Sequence, residues 1–348
     1  YKHWVDVVNW ASNLNPIPSK LSGNLETRIK ELQSSAGNDK RKFFREAVRL
    51  VQDEIRYMGV EMGVYSHRAT HPEKVYNQRY GDCKDKSLLL ASILRAGGIT
   101  AHLALVNTRA GSEIINYLPA PTVFNHVVVV ANLNGREVWV DPTIAYQGGD
   151  ASEIAFPNYK KALVIKSRNN KLSDTETGMT GDVICFERYV VTSEKDKVKL
   201  SIETRYSANQ ADFVRAQLAS LNHEALCKLN LDFYAKIYPE IEMLDSLKIK
   251  DDRDKNELTI TGSYYITNFF QKDSVSGRYM AGFYANYIKE QLPSIAPGRK
   301  HPIFVNYPFD LDYSIQVELP EGWNIPKESS SISRDAYYFG RHVFVVGN

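Results

Sequence analysis

Apolar positions recur at helical spacing through the first sixth of the chain. Trp4, Val7, Val8 and Trp10 form one stripe, and Phe43, Phe44, Ala47, Val48, Val51 and Ile55 form a clearer one over residues 41–56. Residues 1–60 therefore read as helical, with Asn38 or Asp39 available to cap the later helix. Residues 58–82 are polar and glycine-bearing and read as a long loop. A helix over 82–96 follows, with Leu88, Leu89, Ile93 and Leu94 as its buried side and Gly97-Gly98 as its stop. Strands are expected at 99–107, 124–133 and 136–141, the last two flanking Asn134-Gly135, a pair suited to a two-residue hairpin turn.

The pattern changes near residue 165. Residues 167–182 are polar and read as a linker or exposed loop. Alternating strands follow at 185–191, 197–206 and 257–270, with one long helical pattern at 210–238 and a second at 278–292. Late strands are expected near 314–320 and 342–348. The fold class is thus α+β. Helices followed by strands that include a hairpin occupy 1–170, and a β-rich, sandwich-like domain with inserted helices occupies 171–348. A length of 348 residues suits two such domains.

Composition adds exclusions. Apolar residues make up 43% and charged residues 24%, a globular balance, and the net charge of +2 gives no broad field for nucleic acid or anionic lipid. The 21 tyrosines suit sheet packing better than a sugar-stacking surface. No segment reads as a signal peptide or a membrane span. The chain opens at Tyr1 inside a helical pattern, so the natural start is expected further upstream. Cys83, Cys185 and Cys227 lack any C-x-x-C spacing. A Cys185–Cys227 bridge is possible, but two buried thiols are the stronger expectation.

Cys83 is the anomaly, because it sits among charges in RYGDCKDKSLLL where a structural thiol would favour the apolar side. A helix N-terminus favours an anion there, and Lys84 and Lys86 add positive charge that Asp82 and Asp85 oppose in part. The hairpin supplies a base. If Leu133 faces Arg136, then Val128 faces Asp141 and His126 faces Thr143, so His126 and Asp141 are diagonal neighbours on one face. An aspartate on one ring nitrogen leaves the other free to serve a thiol. His67 and His71 are four apart in a loop before Pro72 and read as a chance pair, and residues 251–255, DDRDK, read as a charged turn.

YGDCKDKSLLLASILRAGGITAHLALV, FNHVVVV and VWVDPT resemble the three core motifs of the transglutaminase-like superfamily, closely over about residues 40–145. The match is most similar to a bacterial branch, of the Bacteroides type, in which the core follows an N-terminal domain of unknown function. The resemblance implies a papain-like arrangement for residues 1–170, helices packed on an antiparallel sheet, with Cys83 as nucleophile, His126 as general base and Asp141 as orienting acid. It also implies a second oxyanion donor, for which Gln78 is the nearest candidate. No loop suited to calcium occurs, so neither a metal nor another cofactor is expected. The implied activity is a thiol-dependent amide hydrolase, a peptidase or amidase, acting through a thioester on a peptide or protein. Transamidation by the same triad, or a non-catalytic protein- or glycan-binding scaffold, are the alternatives. Relatives of this type imply a periplasmic or cell-surface location and a partner in the cell envelope.

Overall fold

The computed structural model describes residues 1–59, 62–150, 154–175, 180–191, 197–294, 296, 298–303, 305, 309–320, 327–334 and 337–343. Three helices open the chain: α1 (Trp4–Leu14), α2 (Gly23–Ala36) and α3 (Lys40–Glu54). The Asp39 carboxylate caps α3 by accepting the N–H groups of Arg41 and Lys42. The short strand β1 (Arg56–Tyr57) pairs in parallel with β2 (Tyr80–Gly81), and α4 (Pro72–Gln78) lies between them. The expected loop over 58–82 thus contains a helix. It is only two turns long, begins with Pro72 and buries little beyond Val75 and Tyr76, too short a pattern to show a period.

Helix α5 (Cys83–Ala96) is the centre of this half, and every side chain from Cys83 to Leu94 is buried. It packs on strands β3 (Thr100–Val106) and β4 (His126–Leu133) on one side and on α3 and α4 on the other. Gly97 ends it where a Cβ would fall 1.9 Å from the Phe43 ring, so only glycine lets α3 approach. With β5 (Arg136–Val140), β6 (Lys161–Val164) and β7 (Ser173–Asp174) the sheet runs β5-β4-β3-β6-β7, antiparallel throughout. The hairpin register is Leu133 opposite Arg136, as the Asn134-Gly135 turn requires. Strand β6 was not expected, and β7 falls inside the stretch read as a linker. Both are too short for alternation to show.

The second half begins with β8 (Asp182–Val191) and β9 (Lys197–Ser207), followed by α6 (Ala208–Leu218) and α7 (His223–Ala235). The single helix expected over 210–238 is therefore two. Asn222 accepts the Ala225 N–H and restarts the helix after a break. Strands β10 (Ile241–Asp252) and β11 (Glu257–Thr267) form a hairpin around the DDRDK turn. Strands β12 (Gln271–Lys272) and β13 (Tyr279–Met280) pair next, and α8 (Asn286–Gln291) covers only the end of the helix expected at 278–292. The chain continues through β14 (Asp310–Glu318), then the pair β15 (Glu328–Arg334) and β16 (Tyr337–Val343). Residues 344–348 of the last expected strand lie outside the described residues.

The main second sheet runs β10-β11-β9-β8-β14, with β14 parallel to β8 and the other pairs antiparallel. Alternation on β8 turns Val183, Cys185, Glu187, Tyr189 and Val191 inward. Cys185 and Cys227 are both free, but Cys227 is half-buried on α7 and only Cys185 is a core thiol. The molecule is thus of mixed α+β class, a helix-on-antiparallel-sheet half followed by a β-rich half. Among the described residues no helix is long and apolar enough to cross a membrane.

Candidate active site

The start of α5 is fixed by a capping box. Asp82 accepts the Lys84 and Asp85 N–H groups, each at 3.1 Å, and the Asp85 carboxylate returns to the Asp82 N–H at 3.2 Å. Asp85 also accepts the Thr70 N–H at 2.6 Å, which ties the residue 58–82 segment to the helix. Cys83, the first helical residue, is 5% exposed.

The lysines do not act as the sequence suggested. Lys84 is paired with Asp82, so its charge is neutralised locally. Lys86 points into the core, where its Nζ donates to the carbonyls of Ile55 (2.5 Å) and Gln52 (3.4 Å) at the end of α3. Burial lowers its pKa to about 8, with the charges of Asp141 and Asp53 working in the other direction.

His126 opens β4 opposite Val106. Its Nε2 lies 2.8 Å from Asp141 Oδ2, and the Cys83 side chain is close enough to favour the charged form of the ring. Because Nε2 is taken by the carboxylate, Nδ1 is the nitrogen left to meet the sulfur. Burial alone would lower the imidazole pKa. The hydrogen bond and charge of Asp141, together with the interaction with Cys83, outweigh it and raise the pKa to about 10.

Asp141 follows the last residue of β5. The paired ladder stops at Val129–Val140, so Asp141 and Thr143 lie beyond it, yet the carboxylate still reaches the imidazole. It is 1% exposed and saturated with donors. Thr143 gives its N–H (2.9 Å) and hydroxyl (2.6 Å) to Oδ1, and the Tyr159 hydroxyl joins His126 on Oδ2 at 2.7 Å. Burial pushes the Asp141 pKa up, but the bonds and charge of His126 and the hydroxyls of Thr143 and Tyr159 bring it below the ordinary value. The Tyr159 ring meets the His126 ring edge-on at 5.8 Å. Burial, then the Asp141 charge, raises the Tyr159 pKa far above normal, so its hydroxyl stays a donor.

Cys83, His126 and Asp141 are thus brought together from the helix, the adjacent strand and the end of the hairpin. Gln78 ends α4, and its amide donates to the Tyr80 carbonyl at 2.8 Å. His67 packs edge-on against Trp10 and His71 precedes α4 at its N-cap, so the two serve separate elements. Among the described residues no cluster of three or more histidine, cysteine or acidic side chains is placed to hold a metal. The sequence reading missed Tyr159, which comes from an irregular segment 18 residues beyond Asp141 and carries no periodic signal. It also missed Gln52, whose helical stripe position marks it as polar surface but whose amide donates to the Asp141 carbonyl at 3.0 Å. A cavity of about 440 Å³ lies elsewhere, between α6, α7 and the second sheet, walled by Leu218, Leu226, Phe233, Leu247 and Tyr264.

Residues 27–143 match the Transglutaminase-like superfamily. No curated protein matches the chain. Among solved structures the chain is similar to one from Parabacteroides distasonis taken to be a protease, with 11% identity and a TM-score of 0.41 over 77% of this chain and 53% of that one. It is also similar to one from Cytophaga hutchinsonii taken to be a cysteine protease, with 17% identity and a TM-score of 0.26 over 37% of this chain and 46% of that one. The chain therefore spans about half the length of either structure.

Proposed function

We propose, from the match of residues 27–143 to the Transglutaminase-like superfamily and the geometry around Cys83, that the protein is a thiol-dependent amide hydrolase with Cys83, His126 and Asp141 as its triad. The observation that carries this reading is one imidazole held by a carboxylate at 2.8 Å and interacting with the side chain of a cysteine at a helix start. In the proposed cycle the Cys83 thiolate attacks an amide carbonyl carbon. The backbone N–H groups at the α5 start receive the oxyanion, with Gln78 as candidate second donor. His126 passes a proton to the departing amine, leaving a thioester on Cys83. Water, deprotonated by His126, then attacks the thioester and releases the acid and the thiol. An amine in place of water gives transamidation. Asp141 holds the imidazole tautomer throughout.

A peptide or protein amide is the substrate class, and a periplasmic or cell-surface setting with an envelope partner accords with the resemblance. We read residues 1–170 as the catalytic domain and 171–348 as its companion. The test uses iodoacetamide at low concentration near pH 7, with the modified site read by mass spectrometry. Fast, stoichiometric labelling of Cys83, lost in His126→Ala, is the expected result. Labelling of Cys83 only after denaturation would leave the scaffold reading in its place. A labelled amine offered with a glutamine peptide then separates transfer from hydrolysis.

A further inference from the structure

The chain that leaves Asp141 passes against the second half before returning to the first sheet as β6, and contacts from the second half converge on residues 146–149. Asp212 of α6 accepts the Gly148 N–H at 2.8 Å and the Gln147 side-chain amide at 3.3 Å. Arg215, one turn later, donates to the Tyr146 carbonyl at 3.0 Å and is held by Asp212 and Asp251. The DDRDK turn completes the grip: the Arg253 carbonyl accepts the Gly149 N–H at 2.9 Å, and its Nε donates to the Gln147 carbonyl at 3.0 Å. Gly148 is required by this approach, since a Cβ there would lie 2.4 Å from Asn256 Oδ1 and 2.7 Å from the Arg253 carbonyl.

The grip connects back to the site through one side chain. Gln147 Oε1 accepts from Gln52 Nε2 at 2.6 Å, and the same Gln52 amide donates to the Asp141 carbonyl at 3.0 Å. Gln52, Gln147, Asp212 and Arg215 are each at most 7% exposed, so water does not compete for these bonds.

We propose that Gln147, Asp212 and Arg215 are positioning residues, through which the second half of the chain holds Asp141 against His126. This rests on the triad reading above. A plain packing interface would spread its polar contacts over both surfaces and add stability alone. Here the buried contacts of α6 meet residues 146–149, which begin five positions after Asp141, while Arg49 and Asp53 of α3 hold the same DDRDK turn through Asp254 and Arg253. Loosening them lets the carboxylate drift from the imidazole, which then loses the interaction that favours its charged form.

The experiment follows the His126 ring by NMR through a pH titration of the full chain, in wild type, Asp212→Asn, Gly148→Ala and Asp141→Asn. Asp212→Asn removes a charge from the grip, and Gly148→Ala wedges it. In both, the His126 midpoint is expected to fall by about one pH unit, the scale of one weakened charge-assisted hydrogen bond. Cys83 alkylation at pH 7 should slow by up to about tenfold in parallel. Asp212→Asn decides alone if Gly148→Ala does not fold. A wild-type His126 midpoint in a folded Asp212→Asn, with Asp141→Asn lowering it, overturns the proposal and leaves the triad standing. A midpoint unchanged even in Asp141→Asn sinks the triad reading and the proposal with it.

Discussion

His126 stores its interactions as a proton affinity, which makes them visible in stability. Its folded pKa of about 10 exceeds the unfolded imidazole value of about 6.5. A group raised in this way stabilises fully below the unfolded value and loses that contribution as pH rises through the folded one. The Tm should therefore decline between about pH 7 and pH 10 in wild type and decline less in His126→Asn. Parallel curves for the two proteins would show that the imidazole carries no such charge coupling. Asp141 has the opposite sign. Its pKa is depressed, so its contribution is present above the unfolded carboxylate value and is lost as pH falls through the folded one. Removing it as Asp141→Ala strands the imidazole and the Thr143 and Tyr159 hydroxyls together. A loss of about 3–5 kcal/mol is expected in denaturant melts at pH 7, the cost of breaking a buried pair on one side. Of these groups, Cys83, His126 and Asp141 were legible in the sequence, because a thiol among charges and a hairpin register are local facts. Tyr159 and Gln52 were not, since what brings them to Asp141 is tertiary packing with no short-range trace.

At the scale of elements, legibility followed length and period. Helix α5 and the β4–β5 hairpin showed because a capping aspartate, a Gly-Gly stop and an Asn-Gly turn each constrain the backbone within a few residues. Helix α4 and strands β6 and β7 span seven residues or fewer, which is less than any periodic window resolves. The 210–238 pattern misled for a different reason: apolar spacing continues across the Ala219–Asn222 break, and the Asn222 cap is one polar residue among many. What holds α5 in place can be tested at its exit. Gly97→Ala puts a methyl into the Phe43 ring, and overpacking of this kind costs about 1–3 kcal/mol. Adding Phe43→Leu should recover part of that loss, so the double mutant is expected to be more stable than the two single effects predict. Strict additivity in urea melts would mean that the helix and α3 do not share this contact.

The apolar cluster around α5 and the one on the second sheet place their buried charges differently. Around α5 the charges are paired or capped: Asp82 with Lys84, Lys86 on carbonyls, Asp141 on His126. In the second sheet the period-2 pattern of β8 turns Glu187 into the core, and its described partners are the hydroxyls of Tyr189 at 2.8 Å and Tyr234 at 2.9 Å, with Tyr313 alongside. The tyrosine richness seen in the composition thus has one specific use, solvating a carboxyl that water does not reach. That solvation is incomplete. Burial raises the Glu187 pKa, and the three hydroxyls pull it back only in part. A carboxyl raised in the folded state favours folding when protonated, so its contribution is fully present below the unfolded value of about 4.3 and is lost as pH rises through the folded one. Glu187→Gln stays neutral and escapes that loss. Its urea midpoint relative to wild type should therefore be higher at pH 7 than at pH 4, whatever the offset caused by exchanging one acceptor for an amide. Glu187→Ala, which takes away the carboxylate that the Tyr189 and Tyr234 hydroxyls donate to, should be destabilised by about 3 kcal/mol or more at both pH values. A Gln variant that tracks wild type at a constant offset from pH 4 to pH 7 would mean that Glu187 ionises as freely in the fold as outside it, and the tyrosines would then be sufficient solvent for the charge.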